Sequence, residues 1–255
     1  MTKPSFTKTE LMIVNASRLL KDGDLVFVGV GVPNLACNLA RRTHAPNLTM
    51  VYEAGVIGAQ PARLPLSIGD PTLVSGATAV CSMYEIFSLY LQRGNVDVGF
   101  LGGAQIDRYC NINATVIGDY QHPKVRLPGS GGSMEIAAWA NRCYIMTPHN
   151  KRRFPEKVDY ITSAGFLSGK EERQRSGVRG GGPAAVVTDL AILTPDEGGE
   201  LQVSALHPGA ELEEVKANTG WDIKVAKDLG QTLPPDAEEL RILHEELDPT
   251  GIYLK

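Results

Sequence analysis

Cysteine is scarce: the 255 residues hold four, Cys37, Cys81, Cys110 and Cys143, and no two form a Cys-x-x-Cys pair. That spacing excludes a redox dithiol motif and a cysteine-based structural zinc. The five histidines, His44, His122, His149, His207 and His244, are scattered, and no His-Glu-x-x-His occurs, so no metal site is expected. No apolar run approaches the ~20 residues needed to span a bilayer. The polar opening stretch Met1–Glu10 lacks the apolar core of a secretion signal, and a cytoplasmic location is the expectation. Positive charge is not in excess either. Lys and Arg number 25 against 29 Asp and Glu, for a net charge of -4, the opposite of a nucleic-acid-binding footprint. No internal repeat is present.

What is present is an ordinary globular composition, 43% hydrophobic and 21% charged, which excludes an intrinsically disordered chain. Gly (27) and Pro (16) imply many tight turns. Thr7-x-x-Glu10 is a capping box opening a helix whose stripe is Leu11, Ile13, Val14, Leu19 and Leu20, and Gly23 ends it. Asp24–Val28 is a strand. After Gly29-Val30-Gly31-Val32, Pro33 suits the first turn of a helix to Arg42. Leu48–Tyr52 is a second strand, followed at once by Glu53-Ala54-Gly55. This alternation predicts an α/β fold: an open, largely parallel sheet flanked by helices.

Further along, 58–76 reads as a long loop, 82–93 as a helix and 96–101 as a buried strand. A strand at 113–117 and a helix opening after Pro128-Gly129-Ser130-Gly131-Gly132 follow, then a strand at 144–146. The Gly- and charge-rich stretch 164–183 reads as a mobile loop. A strand at 184–187 precedes a late antiparallel pair, 190–193 with 201–206; a short helix at 211–218 and a helical acidic tail close the chain. No linker separates two cores, so 1–255 is expected to form one domain.

Several features can carry chemistry. Glu53 is a carboxylate at a strand end, where open α/β sheets seat ligands. It suits a nucleophile towards an acyl group, or a structural cap or ion pair. The Gly129–Ser133 turn exposes backbone N–H groups before a helix, fit for a phosphate or an oxyanion, or is a tight turn needing positive φ. Neither Ser130 nor Ser133 has a Gly-x-Ser-x-Gly frame. Gly29-x-Gly31 does not complete a dinucleotide fingerprint, because Asn34 stands at the third glycine position. Gln105 can donate to a reacting carbonyl or pair with turn backbone. Lys151-Arg152-Arg153, and Arg173, Arg175 and Arg179, are solvated cations or phosphate contacts.

Taken in order, these segments resemble the β subunit of the class I CoA-transferases, glutaconate CoA-transferase type. The carrying stretches are Val51–Gly55, Ser67–Asp70, Phe100–Asp107, Asn113–Asp119, Gly129–Ser133, Lys151–Phe154, Asp159–Gly165 and Asn218–Asp222. The resemblance implies a two-subunit enzyme whose α subunit supplies most of the CoA-binding surface. It implies no permanently bound cofactor, with a coenzyme A thioester as substrate. Glu53 matches the family's nucleophile, which becomes an acyl anhydride and then a glutamyl-CoA thioester. Gly131 and Gly132 match the oxyanion region, and Gln105 lies in the pocket segment. Two departures bear on the pocket wall: Cys110 stands where relatives usually carry glycine, and Ser133-Met134-Glu135 follows the glycine turn. Members of this fold also hydrolyse or decarboxylate CoA thioesters, typically without the glutamate. Those activities, and a non-catalytic partner subunit, are the alternatives to CoA transfer to a small dicarboxylic acid.

Overall fold

The computed structural model describes residues 6–254, so the first five residues of the polar opening stretch lie outside the described residues. The chain forms two compact units. One comprises the chain up to Phe100 together with the segment from Leu233; the other runs from Leu101 to Thr232.

The first unit begins with α1 (Lys8–Arg18), closed at its N-terminus by the expected capping box, with Leu11, Ile13 and Val14 buried. Strand β1 (Leu25–Phe27) leads through Gly29 and Gly31 into α2 (Val32–Arg42), with Pro33 in its first turn. Strand β2 (Thr49–Tyr52) lies parallel to β1, with Phe27 opposite Val51. Two strands of two residues each, β3 (Val56–Ile57) and β4 (Ala79–Val80), then extend it antiparallel. Helix α3 (Met83–Glu85), capped by Ser82, continues as wide π-type turns through Leu91. Strand β5 (Val98–Leu101) pairs parallel with the other side of β1, giving the order β5-β1-β2-β3-β4. The closing helix, Ala237–Arg241 extended through Leu247, is tied to the start of the chain. Glu239 takes the Arg18 guanidinium at 2.6 Å, and His244 reaches buried Glu10 at 2.7 Å.

The second unit opens with two short hairpins, β6 (Gln105–Ile106) with β7 (Ile112–Asn113), and β8 (Val116–Gly118) with β9 (Pro123–Arg126). The expected single strand at 113–117 is thus split between two pairings. Helix α4 (Ser133–Trp139) follows the glycine turn, and β10 (Arg142–Met146) lies parallel to β11 (Pro183–Val187). Between them, the stretch 164–183 is a correction: it is not simply a loop but contains helix α5 (Lys170–Arg175), and Arg173 is buried. The Arg173 guanidinium donates to the carbonyls of Ala137, Ala164, Gly165 and Gly180 at 2.7–3.3 Å. Arg173 is therefore a structural clamp and does not face a phosphate. A buried donor so placed satisfies carbonyls that would otherwise be orphaned.

The expected late antiparallel pair is β12 (Ala191–Pro195) with β13 (Leu201–Leu206). After α6 (Leu212–Ala217), β14 (Lys224–Gln231) adds a parallel edge that the sequence did not suggest. Its exposed, charged pattern lacks the apolar alternation of a half-buried strand.

His149 is a second internal fastening. Its Nδ1 lies 3.3 Å from Thr188 Oγ1 and its Nε2 3.0 Å from Thr219 Oγ1, and its ring stacks on Phe154. Burial pushes its pKa down to about 4, and burial also lowers that of His207. The unfolded chain therefore binds an extra proton at His149 between its ordinary value and about pH 4. Its contribution to stability is whole above about pH 6.5 and is lost as pH falls towards 4, on the order of 3 kcal/mol at most. Urea unfolding from pH 7 to 4.5 should show this slope, and His149→Gln should flatten it. An unchanged slope in the variant would place the acid sensitivity elsewhere.

Candidate active site

Strands β1 and β2 run parallel, so their C-terminal ends lie at one edge of the first unit, where open α/β sheets bind ligands. Glu53 follows β2 directly. The strand does not lead from there into a crossover helix. Residues 53–55 form a three-residue hairpin turn between Tyr52 and its partner Val56, closed by Gly55 N–H to the Tyr52 carbonyl at 3.0 Å. Gly55 has φ +105°, and a Cβ there would sit 1.9 Å from the Cys81 carbonyl oxygen. Cys81 N–H in turn donates to the Gly55 carbonyl at 2.8 Å. Glycine is therefore obligatory behind Glu53.

The front of the turn is anchored to α2. Asn34, in the first turn of that helix, is buried and donates to the Tyr52 hydroxyl at 2.9 Å; Asn38 donates to Asn34 Oδ1 at 2.6 Å. Burial pushes the Tyr52 phenol up to about 12, so it stays neutral and hydrogen-bonded. The residue that breaks the dinucleotide pattern thus braces the strand that carries Glu53. Glu53 is half-buried, and among the described residues no hydrogen bond or ion pair engages its carboxylate. A cap or salt bridge, the structural alternatives for this residue, is not what the turn contains.

The Ser67–Asp70 stretch works as a loop fastener in the same unit. Asp70 accepts both Arg63 guanidinium nitrogens, at 2.7 and 3.0 Å, and the N–H groups of Leu66 and Thr72. The Arg63 guanidinium holds the Asp70 carboxyl well below the usual carboxylate range.

In the second unit, Gln105 is buried and mostly engaged. Its Oε1 accepts from Asn113 Nδ2 at 2.7 Å and from Asp159 N–H at 3.0 Å, while Nε2 donates to Asp159 Oδ2 at 3.0 Å. One Nε2 proton is left. Asn113 also donates to the Val116 carbonyl, and the neighbouring Ala114 carbonyl accepts Gly129 N–H at 2.8 Å. The fold thereby brings Gln105 and the glycine turn to one cluster. Gly131 has φ +48° with open space around it, so its backbone angle, not crowding, calls for glycine. Among the described residues, neither Gly131 N–H nor Gly132 N–H has a hydrogen-bond acceptor. Ser133 Oγ meets Ser163 Oγ at 2.8 Å, fixing the start of α4.

Sequence reasoning missed Asn34, Asp159 and Asn111 as organisers. Asn111 holds Asp107 and the backbone of Gly165 and Leu167 together. Between them Cys110 adopts φ +59°, a left-handed conformation that suits the glycine expected there. All four cysteines are free. Among the described residues, no group of three or more His, Cys, Asp or Glu side chains is placed to hold a metal ion.

Comparison with known proteins identifies the family. The coenzyme A transferase family profile matches residues 9–218. The chain is 48% identical to the β subunit of the 3-oxoadipate CoA-transferase of Pseudomonas knackmussii, over 94% of this chain and 92% of that one. It is 37% identical to the β subunit of the glutaconate CoA-transferase of Acidaminococcus fermentans, over 98% and 96%. The crystal structure of glutaconate CoA-transferase from that organism superposes with a TM-score of 0.93 at 36% identity, covering 98% of each chain. The family profile and the matches along nearly the whole chain show that it belongs to the coenzyme A transferase family, as a β subunit of the glutaconate and 3-oxoadipate type.

Proposed function

We propose that this chain is the subunit that carries the covalent chemistry of CoA transfer, and that Glu53 is the nucleophile. Its carboxylate attacks the thioester carbonyl of an acyl-CoA, and CoA thiolate leaves to give an acyl-glutamyl anhydride. The thiolate then attacks the glutamyl carbonyl, releasing the acyl group as its carboxylate and leaving a glutamyl-CoA thioester. An acceptor acid, a small dicarboxylic one in our reading, takes the CoA by the same steps in reverse. Within the second unit, Gly131 and Gly132 carry free N–H groups of the kind that stabilise an oxyanion, and Gln105 keeps one Nε2 proton of the kind that meets a substrate carbonyl. The observation that carries this reading is the unengaged Glu53 carboxylate on a turn braced by Asn34 and Gly55. A nucleophile must be free and fixed at once. Transfer retains thioester energy only if water is excluded from the working site.

The partner in this reading is an α subunit, in a cytoplasmic heterodimer or a dimer of heterodimers. Leu66, Val74, Val80, Met83 and Tyr84 of the first unit are 49–75% exposed, apolar surface of the kind that a subunit interface covers. No resident cofactor is required, since coenzyme A enters as substrate. The test is acceptor dependence. Co-expressed with its partner subunit, the enzyme should move CoA from a panel of acyl-CoAs only when an acceptor acid is present, and the isolated chain should not. CoA release to water at the same rate without any acceptor would defeat the transfer reading.

A further inference from the structure

The run 151–157 holds four cations, Lys151, Arg152, Arg153 and Lys157, and one anion, Glu156, in a chain of net charge -4. The fold divides the three leading cations. Arg153 faces inward: Nη1 donates to the Gly103 carbonyl at 2.9 Å, and its own carbonyl accepts Ile106 N–H at 2.7 Å. The turn is closed by the Asn150 carbonyl, which accepts Arg153 N–H at 2.9 Å and Phe154 N–H at 3.0 Å. Phe154 is fully buried and stacks on His149 with centroids 4.4 Å apart, and its carbonyl accepts Gly220 N–H at 2.7 Å. Pinned on both sides, the turn leaves Lys151 and Arg152 exposed at its apex.

Among the described residues, no carboxylate pairs with either. Two like charges on consecutive residues of a pinned turn repel wherever their side chains approach, and an anion between them would relieve that. The turn follows β10, which runs parallel to β11, and so lies beyond a C-terminal strand end. Through Arg153 it rests on Gly103, two residues before Gln105.

We propose that Lys151 and Arg152 form an anion subsite for a phosphate of coenzyme A. This rests on the chain being a CoA-transferase subunit. The 3′-phosphate and the pyrophosphate are the most highly charged groups of that substrate, and an Arg fork beside a Lys point charge matches either. Arg153 is a positioning residue that sets the turn and does not touch the ligand.

The test uses the enzyme assembled with its partner subunit and the double variant Lys151→Gln/Arg152→Gln. Equilibrium dialysis with CoA and with 3′-dephospho-CoA should show CoA bound roughly tenfold more weakly by the variant, with a shallower salt dependence. The KM for acyl-CoA should rise and that for the acceptor acid should hold. Loss of a wild-type preference for CoA over dephospho-CoA assigns the 3′-phosphate; equal weakening of both assigns the pyrophosphate, and either supports the subsite. Unchanged CoA affinity, or a rise confined to the KM of the acceptor, overturns it. The binding measurement needs no turnover. Wild-type enzyme that binds CoA through these residues but transfers none would sink the transfer reading alone.

Discussion

Glu53→Gln should lower CoA transfer by at least about a thousandfold, the scale on which enzymes lose rate when a covalent nucleophile is removed. The amide is nearly the same size and cannot form the anhydride. Because no partner holds the carboxylate, the variant should unfold at the same temperature as the wild type. Were Glu53 a helix cap, its substitution would instead lower the unfolding temperature. Trapping offers a second measurement. Borohydride treatment of wild-type enzyme incubated with acyl-CoA should leave a mass change on the peptide containing Glu53, and none on the variant. A variant that keeps a tenth of wild-type transfer would remove Glu53 from the nucleophile's role.

Gly55→Ala should be nearly as damaging, by a different route. The added methyl would lie 1.9 Å from a backbone carbonyl oxygen, which cannot rotate away as a side chain would, and φ +105° disfavours any L residue. Either β4 moves off or the turn carrying Glu53 is displaced. A displacement of about 1 Å at a reacting group costs on the order of a hundredfold in rate. The expected result is transfer reduced by that order or more, accompanied by a lowered melting temperature. Glu53→Gln should show no such thermal change, and this separates loss of the reacting atom from loss of its position. Wild-type transfer in Gly55→Ala would mean that the hairpin does not set the geometry of Glu53.

The strand–helix rhythm of the first hundred residues was legible because its signals are local. A capping box, Pro33 at a helix start and short apolar runs each act within a few residues; β1, α2 and β2 lie within a residue or two of their expected bounds, and α1 starts at its capping box but ends at Arg18 rather than running on towards Gly23. Glu53 could be singled out for the same reason, as a carboxylate next to a strand end, and the family resemblance added its chemistry. That Glu53 sits on a hairpin was not legible. A strand of two residues such as β3 carries no periodicity, and although its pairing with β2 is local, its other edge is held by β4, 22 to 24 residues further along the chain.

The roles of the polar residues show the same division. Residue type and order alone determined that this chain is α/β, carries no dithiol motif, and holds a strand-end carboxylate, a glycine turn and a basic run. Only the tertiary structure decided what each polar group meets. Gln105 finds Asp159, 54 residues away, and Arg173 leaves an apparent loop to bond carbonyls as far back as Ala137. Arg153 turns inward to Gly103 while Lys151 and Arg152 stay free. The physical reason is that hydrophobic periodicity and capping act along the chain. The partner of a buried donor or acceptor is supplied by whichever distant segment packs against it, and a burial left unpaired would cost more than folding can spare.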